Sequence, residues 1–167
     1  LKYDGNLWSS RLAKGPAPWT TEVLDDSSEK IGPGPVARCE GGKLYVVYQD
    51  FTNEKLKFAE GPQPGALTGL TKSTLPMENM GFNTDMALHG GHIWVAFFET
   101  SGMVGLAVRP MSVSGAWTTH VVASQDEWDS GALSGDARLH IDDSGRPHVL
   151  YFGAFVDKSG PWVASIE

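Results

Sequence analysis

The feature of this sequence that most constrains its fold is a segment that occurs three times. Residues 41–50 (GGKLYVVYQD) return as residues 90–99 (GGHIWVAFFE), and residues 144–153 (SGRPHVLYFG) form a looser third copy. The copies begin 49 and then 54 residues apart, and the motif WTT of residues 19–21 recurs 98 residues later as residues 117–119. A repeat of this length is typical of solenoids and propellers, in which one unit cannot bury its own apolar face and stacks on its neighbours.

Within each unit the apolar residues alternate or form short runs, with no stretch of helical spacing. In the first copy Tyr45 and Val47 share one face, while Val46 and Tyr48 share the other. Short strands that are covered on both faces have this pattern. Between the first two predicted strands of a unit lie glycine pairs such as residues 41–42, which supply the positive φ of tight hairpins.

Four strands fit each period, so we expect an all-β fold, a β-propeller built of four-stranded blades of about 49 residues. A β-sandwich is the alternative, although a sandwich does not need a repeat at a fixed spacing. The predicted strands are residues 36–39, 43–49, 55–59 and 70–75 in the first unit, 85–88, 92–98, 105–108 and 117–122 in the second, 138–141, 147–152 and 161–165 in the third, and residues 1–3, 7–11 and 19–24 before them.

The predicted blades do not complete a ring. Residues 1–167 form a single propeller segment of about three to three and a half blades, at residues 33–76, 82–123 and 131–167, with strands of a further blade in residues 1–25. Propellers contain roughly four to eight blades. Either the chain is a fragment, as a first residue other than Met also suggests, or copies assemble head to tail and residues 1–25 complete a neighbouring chain's blade.

Composition excludes several classes of partner. The net charge is −7 and the acidic residues are scattered, so we expect neither a nucleic-acid surface nor an anionic membrane as partner. No apolar run is long enough to span a membrane. The one cysteine, Cys39, lies on a predicted innermost strand, where we expect a small buried residue.

Two segments resemble a known group of repeats. Residues 139–151 (LHIDDSGRPHVLY) and residues 45–59 (YVVYQDFTNEKLKFA) are similar to the blades of secreted bacterial propellers, the sialidase-like or BNR-type group. The resemblance implies a secreted or cell-surface protein. Blades of this kind occur in sialidases, polysaccharide lyases, lectins and inert surface repeats, so the resemblance is more specific for fold than for function.

A fainter similarity concerns residues 41–50, which with the following strand resemble the six-bladed fucose-binding lectins of fungi and bacteria. That family binds sugar with an Arg on the second strand of a blade and a Glu on the third. At the Arg position this chain has Tyr45, Trp94 and His148, and at the Glu position it has Lys57, Ala107 and Ala164. The resemblance therefore implies a lectin-like architecture without the fucose site.

The loops that follow the second and fourth strands are the longer and more polar ones, and they open on one side of the ring, here called the long-loop face. Binding residues are usually carried on such loops. The candidate ligand-binding residues are Trp128, Asp129, Asp50, Glu99, Phe82 and Asn83.

Two features single these residues out. Trp128 is flanked by acids, so its ring could stack on a pyranose while carboxylates accept bonds from sugar hydroxyls; the alternative is that it packs between blades. Asp50 and Glu99 occupy equivalent positions in two units, where they could equally be polar residues that end a strand.

Catalytic and metal sites are weakly indicated. A sialidase needs a cluster of three Arg, whereas the repeat alignment places Arg38 and Arg138 on opposite faces of the inner strands. His89 and His92 flank a turn without a third ligand at a useful spacing, so we predict no metal site and no cofactor. The sequence favours a non-catalytic, carbohydrate-binding propeller with glycan partners. A fragment of a sialidase-like glycoside hydrolase or polysaccharide lyase, and a structural or protein-binding propeller, are the alternatives.

Overall fold

The computed structural model describes residues 7–11, 20–25, 31, 34–63, 69–77, 83–114, 116–124, 137–154 and 159–166. Thirteen β-strands lie in this part of the chain. In chain order they are β1 (Leu7–Arg11), β2 (Thr20–Asp25), β3 (Val36–Glu40), β4 (Lys43–Asp50), β5 (Lys55–Pro62), β6 (Thr71–Thr74), β7 (Asp85–His89), β8 (His92–Phe98), β9 (Val104–Pro110), β10 (Thr118–Ala123), β11 (Ala137–Ile141), β12 (Pro147–Ala154) and β13 (Ser159–Ser165).

The strands form antiparallel sheets in which chain neighbours are also spatial neighbours. The first sheet has the order β3-β4-β5-β6, the second β7-β8-β9-β10 and the third β11-β12-β13, while β1 and β2 form a two-stranded N-terminal sheet. Every strand that the sequence predicts within the described residues is present. The fold is therefore the all-β propeller architecture that the repeat predicts.

Tight turns join the first two strands of the first and second sheets. Gly41 and Gly42 have φ values of 57° and 74°, and Gly90 and Gly91 repeat them at 58° and 73°. These left-handed conformations match the right-handed twist of the flanking strands, and glycine adopts them without strain.

The corresponding turn of the third sheet is longer, and it corrects one prediction. His140 pairs with His148, which occupies the position of Tyr45, the residue that pairs with Arg38. Arg138 lies two residues before His140, so Arg38 and Arg138 point to the same side of their strands. The prediction of opposite faces is wrong because the inserted turn residues shift the alignment of the inner strand by one position.

The longer turn is organised by Asp142. Its Oδ1 accepts hydrogen bonds from the Ser144 amide (3.0 Å), the Ser144 hydroxyl (2.6 Å) and the Arg146 amide (2.9 Å). Its Oδ2 lies 2.9 Å from Nε2 of His148. These bonds, that to His148 foremost, hold the pKa of the Asp142 carboxyl well below its ordinary value.

The sheets stack face to face through two-sided apolar strands. Between the first and second sheets the core contains Phe58 from β5 and Val95 and Phe97 from β8, all at most 1% exposed. The opposite face of β8 contributes Ala96 and Phe98 to a second core against the third sheet. Residues at equivalent repeat positions thus face the same neighbour in successive sheets. The reason is that each middle strand packs against a sheet on either side of it.

The outermost faces of the stack are open. On the third sheet Leu150, Phe152 and Val163 are 42%, 41% and 64% exposed, although their equivalents on the other sheets are covered by the next sheet. At the other end Cys39 is exposed, so the prediction that it is buried is wrong. The reason is that the N-terminal sheet contains two described strands, and among the described strands β3 packs extensively against β4 and β7 only.

Close packing at Gly105 gives a test of the stack. A Cβ on Gly105 would lie 2.2 Å from the Phe97 ring, its cross-strand partner, whereas a Cβ on Gly160 would meet nothing within 4 Å. We expect Gly105→Ala to lower the free energy of unfolding by about 1–3 kcal/mol, because overpacking displaces Phe97 from the core. The control Gly160→Ala should leave it within about 0.5 kcal/mol. Urea unfolding measures both, and equal values would contradict this packing.

The Asp142 turn gives a test by pH. A carboxyl whose pKa is lowered by folding stabilises the protein above its unfolded pKa, which is about 3.9 for Asp, and loses that contribution as the pH falls through the folded value. We therefore expect wild type to be more stable than Asp142→Asn at pH 5–7, and the difference to shrink below about pH 4. Thermal unfolding of both proteins across this range measures it. A difference that stays constant down to pH 2 would contradict the assignment.

Candidate functional site

The inner strands of three successive sheets lie side by side and line one recess. β3, β7 and β11 are the first strands of their sheets, and in a propeller the first strand faces the central channel. The recess has a volume of about 380 Å³ and is here called the axial cleft. Its polar lining consists of Arg38, Glu40, His89 and His140.

A carboxylate ties the three inner strands together at this cleft. Asp85 on β7 accepts a hydrogen bond from Nη2 of Arg38 on β3 at 3.1 Å. It also accepts from the amide of Leu139 on β11 at 3.1 Å and from its neighbour Met86 at 2.8 Å. The Asp85 side chain is 14% exposed and that of Arg38 is 45% exposed. The guanidinium is therefore fixed at one edge while it stays accessible from the cleft.

The predicted pair Asp50 and Glu99 does not form two equivalent sites. Asp50 is 2% exposed, and its carboxylate accepts hydrogen bonds from the amide and the side-chain nitrogen of Asn53 at 3.0 and 2.8 Å. Glu99 is more accessible and accepts a bond from the Ser101 hydroxyl at 3.0 Å. Asp50 organises the turn after β4, whereas Glu99 presents a carboxylate at the corresponding edge of the second sheet.

Of the remaining predicted residues, Asn83 lies just before β7, exposed, with a left-handed φ of 63°. Trp128, Asp129 and Phe82 lie outside the described residues. Asn83 therefore lies near the start of β7, whereas the axial cleft is lined by Met86–His89 toward the end of that strand.

A buried polar cluster that includes Asp50 was not predicted from the sequence. The hydroxyl of Tyr48 donates to Oδ2 of Asp25 at 2.6 Å, and Nζ of Lys57 lies 3.5 Å from Asp25 and 3.8 Å from Asp50. Asp25 is 3% exposed. Buried carboxylates need such partners. The cluster joins β2 to the first sheet, and only the three-dimensional pairing of distant residues reveals it.

A second buried charge, also not predicted, joins the first and second sheets. Arg109 is 1% exposed, and its Nη2 lies 2.9 Å from Oε1 of Glu60. The guanidinium carbon lies 4.8 Å from the Phe58 ring centre and 5.1 Å from that of Trp117. Burial and the nearby Glu60 carboxylate raise the pKa of Tyr45 beside this pair. The ion pair and the cation–π contacts stabilise the buried charge, while the Nε of Arg109 has no hydrogen-bond partner among the described residues.

Two general properties bear on function. Among the described residues, no three or more His, Cys, Asp or Glu side chains come together as a group that could hold a metal ion. No helix in the described part of the chain is long and apolar enough to cross a membrane.

Comparison with known proteins supports the fold. No protein-family model matches the sequence, and no curated protein matches it. Among solved structures, the chain is similar to an alpha-L-arabinofuranosidase from Clostridium thermocellum, with a TM-score of 0.54 and 13% identity over 80% of this chain and 51% of that one. It is also similar to an alpha-L-arabinofuranosidase from Podospora anserina solved with cellotriose, with a TM-score of 0.57 and 12% identity over 88% of this chain and 50% of that one.

The chain thus spans about half the length of these structures. At this level of identity the similarity shows the shared propeller fold, and the activity of the whole proteins does not transfer with it.

Proposed function

We propose that this chain is a carbohydrate-binding segment of a β-propeller, without catalytic activity of its own, and that saccharide binds at the axial cleft and, at the other end of the inner strands, at the long-loop face. The observation that carries the proposal is the cleft itself, to which three successive repeats each contribute polar side chains. The similarity to two alpha-L-arabinofuranosidases, one of them solved with cellotriose, supports a saccharide as the ligand.

The chemistry of the cleft suits a hydroxyl-rich ligand. Arg38 donates hydrogen bonds only, Glu40 accepts them, and the imidazoles of His89 and His140 can do either. A sugar ring offers hydroxyls that both donate and accept, so each of these groups has a partner. The volume lies near the lower end of the range for small-molecule sites, which is consistent with a shallow site for one or two sugar units.

The long-loop residues form a second binding surface in the proposal, at the end of the inner strands away from the cleft lining. Glu99 and Asn83 are accessible and polar, and Trp128, Asp129 and Phe82 would add stacking and acceptor groups from the loops that lead into β7 and β11. Asp50 supports the surface indirectly, through the turn that it holds with Asn53.

A complete ring would present several such sites together, and avidity would then offset weak single sites. The open face of the third sheet, with Leu150, Phe152 and Val163, is where a further blade would pack, from a second copy of the chain or from the rest of a longer one. In line with the resemblance to sialidase-like repeats, we place this function outside the cell or at its surface.

A glycoside hydrolase fragment is the second candidate, because both of the similar solved structures are alpha-L-arabinofuranosidases. Glu40 on β3 and Asp85 on β7 are the carboxylates of the described inner strands. Glycoside hydrolysis generally needs two carboxylates, one of which exchanges a proton with the leaving group. Asp85 is committed to three hydrogen bonds, which suits a structural role better than proton transfer.

Binding is tested with a glycan array, followed by calorimetry on the best saccharide. We expect Arg38→Gln to weaken binding about tenfold, because a hydrogen bond to a charged group contributes about 1.5–3 kcal/mol. His140→Ala should also weaken it while leaving the Arg38–Asp85 pair intact, which separates binding from folding. The control Thr118→Val, exposed on the outer strand β10 away from the inner strands, should bind as wild type does. A folded wild type that binds no glycan would contradict the proposal.

The same preparation separates the two candidates. On 4-nitrophenyl α-L-arabinofuranoside we expect no release of nitrophenol above that of buffer. Release that disappears in Glu40→Gln would replace the binding function with hydrolysis.

A further inference from the structure

A larger cavity lies on the opposite side of the molecule from the long-loop face. It opens between the second and third sheets, beside the turn that joins β11 to β12, and has a volume of about 590 Å³. It is here called the turn crevice, and its lining includes Trp94, His120, Ser144, Arg146, Pro147 and Ile166.

The composition of the turn crevice combines an apolar floor with positive charge. Trp94, Pro147 and Ile166 supply the apolar surface, and the Trp94 ring is only partly buried. Arg146 and His120 are exposed, and none of the lining residues is acidic. A positively charged cavity is notable on a chain whose net charge is −7. Such a lining selects for an anion that also carries an apolar face.

The wall that carries Arg146 is held in place before any ligand arrives. Asp142 accepts hydrogen bonds from the amides of Ser144 and Arg146 and from the Ser144 hydroxyl, and it contacts His148. These contacts use the Asp142 oxygens inside the turn. The carboxylate thus bonds to the Arg146 amide and not to its guanidinium, which faces the crevice as a charged group. A preorganised wall lowers the entropy lost on binding.

The equivalent crevice between the first and second sheets provides a comparison within the chain. It has a volume of about 450 Å³, and its lining includes Lys43, at the repeat position of Arg146, together with the acid Glu60, which pairs with Arg109. The position of Trp94 is occupied there by Tyr45, which is 2% exposed. The first crevice thus has an acid in its lining and a buried aromatic ring, whereas the turn crevice has no acid in its lining and a partly exposed ring beside Arg146.

We propose that the turn crevice binds a saccharide that carries a carboxylate, a uronic acid unit, with the pyranose ring against Trp94 and the carboxylate on Arg146. The C–H face of a pyranose is apolar and matches an indole surface. The guanidinium binds a carboxylate through two parallel hydrogen bonds. His120 and Ser144 can bond the remaining oxygens. This inference rests on the proposed function in one respect, namely that the ligand is a saccharide. The turn crevice itself is a different site from the axial cleft.

The test is calorimetric titration with trigalacturonic acid and with neutral galactotriose at low salt. Wild type should bind the acidic trisaccharide more tightly than the neutral one, and added salt should weaken the acidic complex. Arg146→Gln should weaken acidic binding about tenfold or more. Trp94→Phe, which keeps an aromatic ring in the core, should weaken it to a smaller extent. The matched control Arg138→Gln, an exposed Arg on β11 outside the crevice, should not change it.

The outcomes separate the two sites. Absence of acidic-trisaccharide binding, binding that Arg146→Gln leaves unchanged, or equal binding of both trisaccharides would overturn the turn-crevice proposal. Binding that depends on Arg38 and not on Arg146 would overturn it while supporting the axial cleft. Acidic binding that depends on Arg146, with no glycan bound through Arg38, would support the turn crevice and leave the axial cleft without support.

Discussion

Face-to-face packing of sheets that are apolar on both sides is the constraint on which the rest of this structure depends. β8 places Val95 and Phe97 against the first sheet and Ala96 and Phe98 against the third. Each large apolar side chain that is buried this way contributes about 1.5–3 kcal/mol. No sheet can therefore be stable alone, and the faces that two sheets share are unavailable for ligands. Binding is left to the edges of the stack, where inner strands, loops and turns reach solvent.

Polar contacts between the sheets favour one relative position of neighbouring sheets, which apolar packing alone does not specify. Asp85 bonds to groups on both neighbouring inner strands, and Arg109 reaches from the second sheet to Glu60 on the first. A buried charge is strongly destabilising without its partner, so such pairs favour one relative position of two sheets over others. At the axial cleft this has a functional consequence. The same Asp85 contact that aligns the strands also holds Arg38 where a ligand can reach it.

Much of the fold could be predicted from the sequence, because the repeat carries it. The glycine turns and the alternation around Tyr45 and Trp94 are local patterns, and they locate the strands to within a few residues. The burial of Asp50, the exposure of Cys39 and the side on which Arg138 lies were not predictable in this way. Asp50 depends on Asn53 and on Lys57 of the next strand. Cys39 depends on which strands cover β3, and Arg138 depends on one shift of register at a longer turn.

The central claim is that three repeats converge on one saccharide-binding cleft. Amide chemical-shift mapping by NMR, with the neutral glycan that binds best, tests it most directly. The account predicts that the largest shifts fall on all three inner strands together, around Arg38, His89 and His140. Shifts confined to a single sheet, or found only on the outer strands, would contradict it.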